Sequence, residues 1–349
     1  MRVVAAAALA LATLSAHTGR AQDRPTGQGF SFRTGVELVS VTVTVTDASG
    51  RFVPNLRAED FTLHEDGKEQ PIAHFEAERV PVSLGIAIDT SGSMIGEKWT
   101  AAEGALNRFL GSLLGPQDEV FLYRFDSRPT LVRGWTTDRA GVARDLGTVR
   151  PTGGTAMYDA VAEAIPLTDS GTRRKKALVV ISDGNDTSSR TAITDLRQLI
   201  HQREVVVYAI GIDADGAYGS RASNSSSSSG GGQTRTVPVP RPFPGKAPAV
   251  AAKSTSGSSG SSGSSPRGSG RINVDALRAM TDDSGGRTEI VFAPRDLDPA
   301  TAGIADELSR QYFIGYNSII PKDGRWHTID VRIRRGNYTI RARKGFIAS

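Results

Sequence analysis

The sequence contains no cysteine. That absence removes disulfides, thiolate catalysis, cysteine zinc sites and a lipidated N-terminal cysteine together, so the fold has to stand on packing alone. Long apolar runs are lacking as well. The run from Val3 to Leu14 falls short of the ~20 apolar residues that a spanning helix needs, and no other segment comes nearer. The five histidines include one in the N-terminal segment, and the others form no H-x-x-x-H pair, which leaves a zinc site unsupported. A P-loop is missing, and so is a convincing nucleophile–base pair. Charge of one sign does not dominate either: Lys and Arg number 42 against 37 Asp and Glu, for a net charge of +5. The densest basic cluster, Arg332, Arg334, Arg335, Arg341, Arg343 and Lys344, falls on an alternating strand pattern. It reads as a solvated face, with no call for a nucleic-acid partner.

What is present suffices for a sizeable core in two domains: 349 residues, 38% of them hydrophobic. The opening "MRVVAAAALALATLSAHTGRAQ" places Arg2 before an apolar run and then a polar stretch, the pattern of a cleavable signal peptide over residues 1–21. Export follows, to the periplasm, the cell envelope or the medium, with no integral span after cleavage. Val39, Val41, Val43 and Val45 alternate with Ser40, Thr42, Thr44 and Thr46, which specifies a half-buried strand. "FTLHEDGKEQPIAHF" repeats that pattern around an Asp66-Gly67 hairpin signal, so residues 30–80 form a β-rich segment.

From Pro81 the pattern changes to strand alternating with helix. "VSLGIAID", "KKALVVISDG" and "EVVVYAIGID" are continuously apolar strands ending in aspartate, and helical spacing over Glu97–Leu114 and near 139–149, 156–167 and 192–203 separates the elements. Continuous apolarity means both sheet faces are covered by helices, as in a doubly wound, mostly parallel α/β sheet. Such sheets place their sites at the carboxyl ends of the strands. Residues 214–270 interrupt this domain (81–310) with Ser, Gly and Pro runs whose composition predicts a disordered insertion. Alternating β pattern returns at 311–349, around a Gly336-Asn337 turn, and is the candidate partner of segment 30–80.

Oxygen ligands gather at three predicted loops. Asp89, Ser91 and Ser93 follow one strand at alternate positions, Thr155 lies in "PTGGTAMYDA", and Asp183 ends another strand in "VVISDGND". Two carboxylates with hydroxyls and retained waters suit Mg2+, with Mn2+ or Ca2+ as alternatives. Strand-end carboxylates that merely cap turns are the competing reading, as is Thr155 acting as a helix N-cap. Asp126 and Asp213 also end strands, without hydroxyl companions.

Asp89-Thr90-Ser91-Gly92-Ser93, Gly153-Gly154-Thr155 and Ser182-Asp183-Gly184 together resemble the metal-ion-dependent adhesion site (MIDAS) of von Willebrand factor type A (VWA) domains. The flanks resemble those of the bacterial, acidobacterial-type VWFA-related proteins. The resemblance implies a Rossmann-like VWA domain in which Asp89, Ser91, Ser93, Thr155 and Asp183 hold a divalent cation directly or through water. It also implies a protein partner whose acidic side chain completes the coordination, hence an adhesion-type binding protein rather than an enzyme. Two alternatives belong to other classes. One is a Mg-dependent phosphohydrolase with Asp89 as nucleophile and Thr155, Lys176 and Asp183 assisting; it needs a second acid where Ser91 stands. The other is a structural envelope protein whose metal only stabilises the fold. D-[ST]-G triplets at Asp169 and Asp283 bear a weaker likeness to aspartic proteases. The partner's identity and the oligomeric state are not encoded in any motif.

Overall fold

The computed structural model describes residues 37–213 and 272–348. The expected signal peptide at 1–21 and the insertion at 214–270 lie outside the described residues. The central layer is a six-stranded sheet made of β5 (Val82–Asp89), β6 (Glu119–Phe125), β7 (Pro129–Thr136), β8 (Lys175–Ser182), β9 (Val206–Ile212) and β10 (Thr288–Val291). Its order is β10-β9-β8-β5-β6-β7, with every pairing parallel except the antiparallel edge strand β7. Strand β5 is buried at all eight positions, as its unbroken apolar run requires when both faces are covered.

The covering helices are α1 (Glu97–Arg108), α2 (Arg139–Thr148), α3 (Met157–Asp169), α4 (Ile193–His201), α5 (Val274–Thr281) and α6 (Leu297–Arg310). Leu84, Ile86 and Ile88 of β5 pack with Trp99, Leu106, Val142, Leu146, Ile304 and Leu308, which places α1, α2 and α6 on one face. Ala87, Phe121 and Val180 pack with Met157, Val161, Leu196 and Leu277, which places α3, α4 and α5 on the other. The helix expected over Glu97–Leu114 is α-helical only to Arg108. A π-helical turn at Phe109–Leu113 finishes it and keeps Phe109 and Leu110 buried. Strand β5 leads through α1 to β6 on one side, and the chain reaches β8 on its other side after α3 on the opposite face. The crevice between the carboxyl ends of β5 and β8 is therefore the switch point of the sheet, where such folds hold their ligands.

Among the described residues, eight further strands form two four-stranded sheets around a third core. β1 (Glu37–Thr46) pairs antiparallel with β11 (Tyr312–Ser318) along Val39–Val43, and β4 (Ile72–Glu76) lies on the far side of β11. β2 (Phe61–Glu65) pairs with β3 (Lys68–Gln70) and with β12 (Trp326–Ile333), which carries β14 (Gly345–Ile347) at its other edge. The hairpin signal at Asp66-Gly67 sits in the left-handed region at both positions, φ 48° and 77°, the signature of a type I′ turn. At the Gly336-Asn337 turn the outcome differs from a simple hairpin. β12 stays in the sheet with β2, while β13 (Thr339–Arg341) pairs with β1 in the other sheet. The turn connects two layers because Val331 on one side and Ile340 on the other both face the shared core.

The basic cluster near the end is only partly a solvated face. Arg332 and Arg334 are exposed, but Arg343 is buried at 8% exposure and Arg341 turns inward to the buried Glu307. Glu307 also accepts from the Thr44 hydroxyl at 3.0 Å and the Tyr208 hydroxyl at 2.9 Å, and pairs with Arg287 at 2.9 Å. This carboxylate ties α6, β1, β9 and β13 together.

Candidate metal site at the carboxyl edge

Parallel pairing sets β5 and β8 in register with Ile88 opposite Ile181, so Asp89 comes level with Ser182. The Ser182 hydroxyl donates to Asp89 Oδ2 at 2.5 Å, and the Ser91 N–H donates to Asp89 Oδ1 at 2.8 Å. That second bond closes a short turn, after which Ser93 Oγ lies 2.9 Å from Ser91 Oγ. Asp89 and Ser91 are fully buried and Ser93 reaches the surface, so the loop runs from the core to solvent within five residues.

Thr155 enters through backbone contacts. Gly92 N–H donates to Gly153 O at 3.0 Å and Thr152 N–H to Thr90 O at 2.7 Å, which ties the two loops together. Gly153 has φ +78° and a Cβ there would stand 2.9 Å from Ser127 Oγ, so both conformation and space call for glycine. The competing N-cap role for Thr155 is not what caps α3. The first amides of that helix, Met157 and Tyr158, donate to Asp186 Oδ1 at 2.8 and 3.3 Å. Asp186 reaches them from the loop after β8.

Asp183 is buried at 5% exposure, and its Oδ1 has no hydrogen-bond partner among the described residues. Its Oδ2 lies 3.9 Å from Lys98 Nζ in the first turn of α1. Burial pushes the Asp89 carboxyl up to about 6; the Ser182 and Ser91 hydrogen bonds oppose that rise and the Asp183 charge adds to it. Two buried carboxylates within each other's field, one with an orphaned oxygen, form an electrostatic hole for a cation. Among the described residues no group of three or more His, Asp or Glu side chains is arranged to hold a metal. The donor set here is instead two carboxylates with serine and threonine hydroxyls, all hard oxygens, which fits Mg2+.

The phosphoryl-transfer constellation does not assemble. Lys176 lies at the amino end of β8, about 20 Å along the strand from Ser182, and its Nζ is 3.6 Å from Asp169. Asp169 and Asp283 of the D-[ST]-G triplets serve as ion-pair hubs, Asp169 for Lys176 and Arg203, Asp283 for Arg197 and Lys344, with His201 Nε2 also 3.1 Å from Asp283. Among the other strand-end acids, Asp126 accepts from Arg124 at 2.7 Å, and Asp213 is buried with its Oδ1 unpartnered among the described residues.

Residues 84–185 match the von Willebrand factor type A domain. The VWA match runs from within β5 to just past β8 and includes all five oxygen-bearing positions. Similar solved structures include the conserved hypothetical protein BatB from Bacteroides thetaiotaomicron, at 16% identity and TM-score 0.44, covering 65% of this chain and 97% of that one. A von Willebrand factor type A protein from Catenulispora acidiphila is 13% identical with TM-score 0.47, covering 83% and 72%. Proximal thread matrix protein 1 from the mussel byssus, with zinc in its MIDAS motif, is 12% identical with TM-score 0.43, covering 70% and 49%. No curated protein matches the chain.

Ser182, Lys98 and Asp186 carry no signal of their own in the sequence. Ser182 reads as the end of an apolar strand, Lys98 as a polar first-turn residue, and Asp186 as one of several loop acids. Only Ser182 was findable, because it shares a tripeptide with Asp183.

Proposed function

We propose that the protein is an exported, metal-dependent binding protein that captures a protein partner through an acidic side chain, and that it is not an enzyme. Asp89, Ser91, Ser93, Thr155 and Asp183 would hold the ion, Mg2+ first and Mn2+ or Ca2+ next. When bound, such an ion supplies a Lewis-acidic position that a partner's carboxylate can fill. The observation carrying this reading is the buried Asp183 Oδ1, unpartnered among the described residues, in the field of the buried Asp89 carboxylate. A buried acceptor left without a donor costs about 1–3 kcal/mol, which a cation would relieve. Ser182 and the Ser91 amide orient Asp89, while Ser93, at the surface, stands where a partner would approach. VWA domains are generally protein-interaction modules, in keeping with this assignment. The signal-peptide pattern read in residues 1–21 of the sequence is the support for export.

Calorimetric titration of the mature protein with Mg2+ and Mn2+ tests the reading. Wild type should take up one equivalent and Asp89→Ala none, because neither serine replaces a charged ligand. Absence of metal uptake by the wild type, or equal uptake by Asp89→Ala, refutes it.

A further inference from the structure

At the opposite end of the molecule, a cleft of about 490 Å³ lies between the outer face of the β1-β11-β4 sheet and the amino-terminal rim of the parallel sheet. That volume falls in the range of small-molecule sites. Its floor is apolar. Val39, Val41 and Val43 turn into the core, so Leu38 projects from the other face, where it is 57% exposed. Phe313 and Ala73 line the same side, and the missing side chain of Gly315 lets Leu38 and His74 close over the strand: a Cβ there would meet them at 3.3 and 3.2 Å.

The opposite wall carries three cations, and they are not equivalent. Arg174 is committed to Glu76 at 2.5 Å and to His74, and Lys176 to Asp169. Glu204, the acid of the wall, accepts the Ser40 N–H at 3.0 Å and lies 3.8 Å from Arg343. Arg173 makes no ion pair among the described residues, and its Nε is buried without a hydrogen-bond partner. Glu119, whose charge it feels, is already occupied by the Ser83 and Thr172 hydroxyls and the Thr172 amide. Arg173 thus lines the cleft as a half-buried guanidinium with no carboxylate paired to it among the described residues, on a wall that faces an exposed leucine, which is the complement of a molecule with an anionic head and an apolar body.

We infer that this cleft binds a small amphipathic carboxylate, its headgroup on Arg173 and its hydrocarbon portion over Leu38 and Phe313. The site is independent of the carboxyl-edge metal, so its occupancy should be indifferent to chelators.

Hexanoate is the probe, titrated into the full mature protein in excess EDTA and followed through the amide resonances of Ala73 and Thr172. Saturable shifts are expected with hexanoate, with weaker binding of acetate, inorganic phosphate and hexanamide. Arg173→Gln should weaken hexanoate about tenfold or more, the loss of one charge-assisted hydrogen bond. Leu38→Ser should reduce hexanoate to the affinity of acetate. Both residues lie at the surface of the cleft, and a thermal melt of each variant checks folding. Arg173→Lys gives a second variant that keeps the charge and should bind between the two. No saturable shift, hexanamide binding as well as hexanoate, or unchanged affinity in both Arg173→Gln and Leu38→Ser overturns the proposal. Phosphate matching hexanoate would reduce the cleft to a bare anion site and overturn it equally.

Discussion

The parallel sheet and the pair of four-stranded sheets solve the same burial problem in opposite ways. In the first, β5, β8 and β9 are apolar between their ends because helices cover both faces, and polar chemistry is pushed to the strand ends. Asp89, Ser182 and Asp183 occupy one such end and the buried Lys175 the other, where its Nζ donates to Leu308 O at 2.8 Å. In the second, β1 buries its valines and turns Leu38 and Ser40 outward, so polar and apolar groups share an exposed face along the strand. The difference decides where ligands can be met: at an edge in the parallel sheet, across a face in the antiparallel one.

The two regions are joined at Glu307, and breaking that joint should have the largest effect. Glu307→Ala leaves Arg341 and Arg287 without their buried partner and strips an acceptor from Thr44 and Tyr208. Loss of one member of a fully buried pair costs about 3–5 kcal/mol, and the loss here should fall at or below the lower end because both guanidiniums are 31% exposed and reach water. Urea unfolding should show that loss, with β1 and β13 losing hydrogen-exchange protection before β5 and β8. Uniform loss of protection across all sheets would mean that the regions form one cooperative unit regardless of this contact.

Leu63→Ala should come next. Leu63 is fully buried in the core of the antiparallel sheets, and truncation of a buried leucine costs about 2–5 kcal/mol. Mg2+ uptake by the variant should stay at the wild-type value, since among the described residues that core contains none of Asp89, Ser91, Ser93, Thr155, Ser182 and Asp183. Weakened metal binding would show that the antiparallel sheets position the site.

The smallest effect expected is a pH dependence confined to one corner. His327 presents Nδ1 to Asp66 at 2.8 Å and Nε2 to Asp323 at 3.1 Å. Both carboxylates call for a donor, which only the imidazolium can offer at the two nitrogens together. Burial works to lower its pKa, but the two carboxylates outweigh it and the net shift is upward, above the ordinary 6.5. A group with a raised folded-state pKa contributes stability that is complete below 6.5 and is lost as pH rises through the folded value. Exchange at the Asp66-Gly67 turn and Thr328 should therefore quicken as pH rises above that value, after correction for the intrinsic exchange rate. His327→Gln should flatten the response, and a wild-type profile as flat as the variant's would exclude the charged form.

Local pattern carried the architecture a long way. The unbroken apolar runs at 84–88 and 177–181 announce strands covered on both faces, and the valine alternation at 39–45 announces one covered on a single face; both forms stand in the structure. The oxygen-bearing residues Asp89, Ser91, Ser93, Thr155 and Asp183 were identifiable because strand ends and glycine loops are written in consecutive residues. Periodicity reports which side of an element is apolar, and it says nothing about which element lies beside it. Ser182 donating to Asp89, Lys98 facing Asp183, Asp186 capping α3 and Arg343 drawn into the interior all depend on strand order and register, set by the packing of residues up to hundreds of positions apart. The same holds for the unmet guanidinium of Arg173. In sequence it is one of four consecutive basic residues, and only the tertiary structure distributes partners to its neighbours and leaves it without an ion pair among the described residues.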